Sequence, residues 1–348
     1  MKLEHGLLEL RTRHAFNIAR AAAPPARHSV WVRLTDSDGC EGWGEAAATP
    51  YYGETPATVT AVLPSYQGVL DRVADGDVFA LQRVESELYH AVGYNPSARS
   101  AISMALHDIV GKRLGVPVWK LWGLDTAAAP ASSFTIGIDD LEVMRAKVRE
   151  AAGYPILKIK VGTARDEEIL AMIRDEAPDA VLRVDANTAW TAKEAIRACD
   201  MLESYGVEFV EQPLPAADIE GLRLLRRRAR LPIIADESCR TSADIAPLVG
   251  AVDGVNIKLA KCGGLREAIR ILHAARAHGM KVMIGCMIES TLGIAAAIQL
   301  TPLVDYVDLD GAALLAADPF AGPGMGRDGK LAFNQEAGLG VREAPRPE

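Results

Sequence analysis

The sequence predicts an α/β protein built on an eight-stranded TIM-type barrel, with a small α+β unit ahead of it. Three observations carry this. From residue 132 onward, short apolar runs alternate regularly with amphipathic segments, the pattern of a parallel sheet crossed by helices. Those runs number eight, the count that closes a barrel. The 348 residues also exceed the roughly 250–300 at which one core stops growing, so a second unit is expected. An open doubly wound sheet is the competitor, but no GxGxxG opens a helix after its first strand.

Taken in order, residues 3–10 and 29–34 alternate β-branched, aromatic and polar side chains. Asp36-Ser37-Asp38-Gly39 makes a turn before a third short strand near Trp43, completing a meander. Helical spacing follows at 58–70, 79–92 and 97–114, and Gly115-Val116-Pro117 stops the last helix. Barrel strands are expected at 133–138, 156–161, 181–185, 208–212, 233–236, 255–259, 281–285 and 306–310. The expected division is 1–118, 119–317 and 318–348, the last segment lacking a helical period and folding back over the first unit.

Composition bounds the function. With 49% hydrophobic and 24% charged residues the chain is globular, and a net charge of −8 argues against nucleic acid as a partner. Cys40, Cys199, Cys239, Cys262 and Cys286 are scattered and form no CxxC, so they read as buried small hydrophobes of a reducing compartment. No signal-like start or long apolar run is present, so a cytoplasmic protein without a membrane partner is expected; homo-oligomerisation is left open.

The chemistry lies in charged residues at the C-terminal ends of predicted strands, the end where TIM barrels build active sites. Asp185, Glu211 and Asp236 each close a strand and stand 26 and 25 residues apart, one βα repeat each time. Singly, each acid reads as a helix cap or the partner of an arginine. Three at one level repel one another unless a cation sits between them. Oxygen-only ligands favour Mg²⁺, with Mn²⁺ as substitute, and the absence of a histidine from these strand ends argues against zinc. Alternation turns Lys158 and Lys160 inward, and Lys258 inward on strand six, so Lys160 and Lys258 should face each other across the metal. Neutralising the acids is the competing role for both. A desolvated lysine near other cations should have a lowered pKa and serve as a base beside a metal-stabilised enediolate. Two such lysines permit removal of an α-proton from one face and its return on the other.

Lys158-Ile159-Lys160, Asp185-Ala186-Asn187, Glu211-Gln212-Pro213, Asp236-Glu237-Ser238 and Asn256-Ile257-Lys258 resemble the enolase superfamily, in particular its muconate-lactonizing-enzyme subgroup and the dipeptide epimerases within it. The resemblance covers nearly the whole chain and implies a modified (β/α)₇β barrel with an N-terminal capping domain. It implies metal ligation by Asp185, Glu211 and Asp236, acid/base roles for Lys160 and Lys258, and Lys158 at the substrate carboxylate. Thr135 matches a pocket-lining position, with a plain strand threonine as the alternative. Cys286 and Ile288 match positions whose backbone holds a dipeptide. Asp308 and Asp310 resemble the Asp-x-Asp pair that binds an α-ammonium; a helix cap or arginine partner is the bland alternative. Arg20 resembles an arginine that reads a side-chain carboxylate, as in L-Ala-L-Glu epimerisation, or is an exposed arginine of the loop 16–25. Alternation sends Glu237 outward, toward a neighbouring side chain or Lys258. The apolar, Pro-rich 21–25 stretch keeps hydrophobic dipeptides open. The rival reactions are o-succinylbenzoate synthesis, N-acylamino-acid racemisation and muconate-type cycloisomerisation, with a non-catalytic binding barrel as a different class.

Overall fold

A computed structural model describes residues 1–22, 24, 26–73 and 77–345. Strands β1 (Lys2–Leu10), β2 (Arg27–Thr35) and β3 (Glu41–Ala46) form an antiparallel meander in that order. Val30, Val32 and Leu34 alternate onto one face of β2 and are fully buried against helices α1 (Pro56–Val73), α2 (Leu81–Ala91) and α3 (Pro96–Leu114). Gly42 and Gly44 let β3 lie directly on α3: a Cβ at either would stand 2.0 Å from a carbonyl oxygen of that helix.

The second layer is a nearly closed parallel barrel of β4 (Phe134–Ile136), β5 (Ile156–Lys160), β6 (Val181–Asp185), β7 (Val207–Glu211), β8 (Ile233–Ala235), β9 (Gly254–Ile257), β10 (Lys281–Gly285) and β11 (Tyr306–Asp308). A parallel bridge between Ser132 and Val307 joins its ends. The apolar faces of the strands pack outward on the helices, forming the largest core. Phe209, Ile234 and Met283, all fully buried, cluster inside together with Tyr306, so the barrel is a cup with one working mouth.

Three strands end two residues earlier than their periodicity suggested. At β4, Ile138 leaves the barrel to accept the side-chain amide of Asn17 on its carbonyl and to donate its N–H to Asn17 O. After β9, Lys258 opens the short helix Leu259–Cys262 instead of continuing the strand. After β11, Asp310 stands beyond the ladder. The tail docks on the first layer: Phe320 packs edge-on against Trp43, and Leu339 N–H donates to Asp108 at 2.8 Å. Among the described residues no helix is long and apolar enough to cross a membrane. The apolar, Pro-rich 21–25 stretch falls partly on Ala23 and Pro25, which lie outside the described residues.

Candidate active site

Register places the acids. Lys160 pairs with Asp185 across β5 and β6, and Asp185 with Glu211 across β6 and β7, so all three stand at one level of the mouth. Asp236 follows β8 directly, and carboxylate oxygens of Asp185, Glu211 and Asp236 lie within 4.8 Å of one another, all buried. Lys160 Nζ approaches Asp185 Oδ2 and Lys258 Nζ approaches Asp236 Oδ2, each at 2.7 Å, so the two lysines reach the acids on different ligands. Lys158 Nζ bridges the centre, 2.7 Å from both Glu211 Oε2 and Asp308 Oδ2 and 3.3 Å from Asp185 Oδ2.

The electrostatics explain why this cluster calls for a cation. Burial raises the pKa of every acid here, and the lysines decide the outcome. Lys160 and Lys158 hold Asp185 down to about 2. Lys258 and Lys261 hold Asp236 well below the usual carboxylate range. Glu211 is pushed up to about 7 by burial and the charge of Asp185. Its Oε2 is buried, close to Lys158 Nζ, yet at an angle that makes no hydrogen bond. Three buried carboxylates and an unsatisfied oxygen are a donor set that fits a hard divalent cation. The same acids set the pKa of Lys258. Burial alone would lower it, but Asp236 and Glu211 hold it above the ordinary lysine range.

The acid doublet on the eighth strand is also inside. Ser133 Oγ donates to Asp308 Oδ1 at 2.7 Å, and Thr135 N–H donates to Asp310 Oδ2 at 2.6 Å. Burial, then the neighbouring Asp308, pushes Asp310 up to about 7, whereas Lys158 keeps Asp308 below its usual value. Neither acid has an arginine partner among the described residues. A cavity of about 1060 Å³ covers the mouth; Thr135, Lys158, Lys160, Lys258, Asp308 and Asp310 line its floor, with Cys286 and Ile288 beside them. Cys286 is half-buried, as is Cys40, whereas the other three cysteines are buried as expected.

The loops of the first unit form the roof. Arg20 faces the cavity, but its guanidinium is bound to Glu237 Oε1, donates to Asn187 O at 3.1 Å, and lies 4.0 Å over the Tyr51 ring. Glu237 thus points toward the roof, and its partner is Arg20. Sequence reasoning missed Lys261, whose Nζ lies 2.6 Å from Asp236 Oδ1 and 2.8 Å from Asn256 O. The turn from strand to helix at Lys258 hid it. It also missed Asn256, which donates to Glu211 Oε1 at 2.8 Å; its period-two spacing from Lys258 was the available signal.

A metal-ready acid triad between opposed lysines, at the mouth of a capped barrel, defines the enolase-type class of site. Residues 142–345 match the family described as enolase C-terminal domain-like, and residues 7–123 match the mandelate racemase / muconate lactonizing enzyme N-terminal domain. The chain belongs to this family. It is 38% identical to the L-Ala-D/L-Glu epimerase of Bacteroides thetaiotaomicron over 98% of this chain and 88% of that one. It is 39% identical to a hydrophobic dipeptide epimerase of Roseobacter litoralis, covering 92% and 93%. Among solved structures it resembles the dipeptide epimerase of Enterococcus faecalis complexed with Mg and L-Leu-L-Tyr, with a TM-score of 0.90, 33% identity and coverage of 97% and 98%.

Proposed function

We propose that the protein is a Mg²⁺-dependent dipeptide epimerase that inverts the α-carbon of the C-terminal residue of L,L-dipeptides. The approach of Lys160 and Lys258 to different acids of one cluster, from strands on opposite sides of the barrel, carries this reading. Asp185, Glu211 and Asp236 would hold the metal, for which Mn²⁺ is the substitute. When bound, the ion supplies Lewis-acid stabilisation to a carboxylate gaining negative charge. Lys158 places its ammonium where the substrate carboxylate and its developing enediolate charge would lie. One of Lys160 and Lys258 takes the α-proton from one face and the other returns a proton to the opposite face; the reverse reaction exchanges their roles.

Asp308 and Asp310 receive the free α-ammonium, whose charge compensates the buried pair. This favours a dipeptide over an N-acylated amino acid, which has no ammonium to offer. Thr135, Cys286 and Ile288 line the same floor and fix the backbone of the dipeptide. The proposed division of labour follows the segments: 1–118 caps, 119–317 catalyses and 318–348 ties one to the other. The five free cysteines support a cytoplasmic location.

The test is incubation with Mg²⁺ and pooled L,L-dipeptides in D₂O, read by mass spectrometry. Deuterium should enter the C-terminal α-position and L,D products accumulate. Equal turnover of free and N-acetylated dipeptides would instead favour the acylamino-acid racemase reading.

A further inference from the structure

The cavity has two walls of different charge. The barrel wall presents Asp236, Asp308 and Asp310 balanced by Lys158, Lys160 and Lys258, whereas the wall formed by the first unit presents basic side chains and no carboxylate among the described residues. That wall carries two arginines, and they are not equivalent. Arg20 is occupied by Glu237, Asn187 and Tyr51. Arg27, the first residue of β2, pairs through its backbone with Leu10 and also lines the cavity, and its guanidinium has no hydrogen-bond, ion-pair or ring partner among the described residues. It is partly buried, and burial pulls its pKa below the ordinary arginine value with no carboxylate to offset the loss. Withdrawing a cation from water without a partner is unfavourable unless a ligand supplies the anion.

The geometry of the proposed reaction says which ligand group that is. The α-carboxylate is directed to Lys158 and the acid triad, and the α-ammonium to Asp308 and Asp310, all on the barrel wall. The epimerised carbon also carries the peptide nitrogen, which leads toward that ammonium, and the α-hydrogen, which lies toward the lysines; its side chain is left to face the opposite wall. We infer that Arg27 is a specificity-determining residue that binds a carboxylate on the side chain of the epimerised residue, while Arg20 is a positioning residue that ties the roof to the barrel. This inference rests on the epimerase reading. Its chemistry is a guanidinium forked onto a carboxylate, a contact that an amide cannot match.

The test uses L-Ala-L-Glu and L-Ala-L-Gln, which differ in charge but scarcely in shape. The ratio of kcat/KM for the acid over the amide is measured by α-deuterium incorporation, and the ratio of Kd by calorimetry with Mg²⁺. Wild-type protein should favour the acid by about tenfold or more in both ratios. Arg27→Gln should lower each ratio by about 10–100-fold, mainly through KM, and Arg27→Lys should keep part of the preference. Thermal unfolding of both variants checks that each is folded. Ratios unmoved in Arg27→Gln, or a wild type that binds acid and amide equally, would overturn the assignment. If no dipeptide takes up deuterium, the epimerase reading fails, and the calorimetric ratio still decides the role of Arg27.

Discussion

On the barrel wall of the cavity, Lys158, Lys160 and Lys258 each lie 2.7 Å from a carboxylate. On the opposite wall, among the described residues, Arg27 meets no carboxylate, and Arg20 meets one only by crossing to Glu237. The difference separates two tasks. Strand register holds the barrel side chains in one geometry, suited to chemistry that every substrate shares. On the other wall Arg20 sits in a loop and Arg27 at a strand end, positions suited to reading the part of the substrate that varies.

The largest effect should come from breaking the barrel wall at a lysine. Lys160→Ala or Lys258→Ala should each slow epimerisation by on the order of 10²–10⁴-fold. Deuterium exchange from the face served by the surviving lysine should persist, which separate incubations of L,L and L,D substrates will reveal. Unchanged epimerisation in either variant would rule out a two-base mechanism.

Glu211→Gln removes one charge from the proposed ligand set and keeps the side-chain shape. It should weaken Mg²⁺ by at least about 10–100-fold in calorimetric titration, while far-UV circular dichroism stays native. An unaltered affinity would remove Glu211 from the ligand set.

Asp310→Asn probes the part of the barrel wall proposed to meet the ammonium. Truncating one side of a buried charge pair costs roughly 3–5 kcal/mol, so the preference for free over N-acetylated dipeptides should shrink by about tenfold or more. A preference that survives intact would make the acid doublet structural.

Glu237→Gln sharpens the comparison where the walls touch. With Arg20 released from its charged partner, KM should rise by about three- to tenfold with a smaller change in kcat. An equal loss in both parameters would place Glu237 in the chemistry instead.

The smallest effect lies at the seam between the units. Burial pushes Glu289 up to about 8 and, next to it electrostatically, Glu45 up to about 7. Glu45 on β3 accepts the Ser290 and Gly293 N–H groups across the seam, at 3.1 and 3.3 Å. Both folded pKa values exceed the ordinary 4.5, so the protonated forms favour the fold. That stability is full below about pH 4.5 and is lost as pH rises through 7 and 8. The thermal midpoint should therefore fall between pH 6 and 9. In Glu289→Gln the fall should be smaller by on the order of 2–4 °C. Parallel pH curves for the two proteins would show that Glu289 does not titrate in this range.

The floor of the site was legible in the sequence to an unusual depth. A period of two turned Lys158 and Lys160 inward, and the βα repeat set Asp185, Glu211 and Asp236 at successive strand ends; both are local properties of the chain. The same local reasoning failed where a strand ends. Lys261 follows Lys258 by three residues, and only the turn into the helix at Leu259 brings it to Asp236.

The sequence by itself determined the barrel, its working mouth and the acids and lysines that face it, because side-chain period and repeat length are written within a few tens of residues. The tertiary structure decided which charges find partners. Arg20 meets Asn187 and Glu237 across 167 and 217 residues of chain, and the Arg27 guanidinium finds no partner among the described residues in the same cavity. No periodicity distinguishes those two arginines. Their difference arises only when the roof folds over the barrel and one guanidinium reaches a buried carboxylate that the other does not.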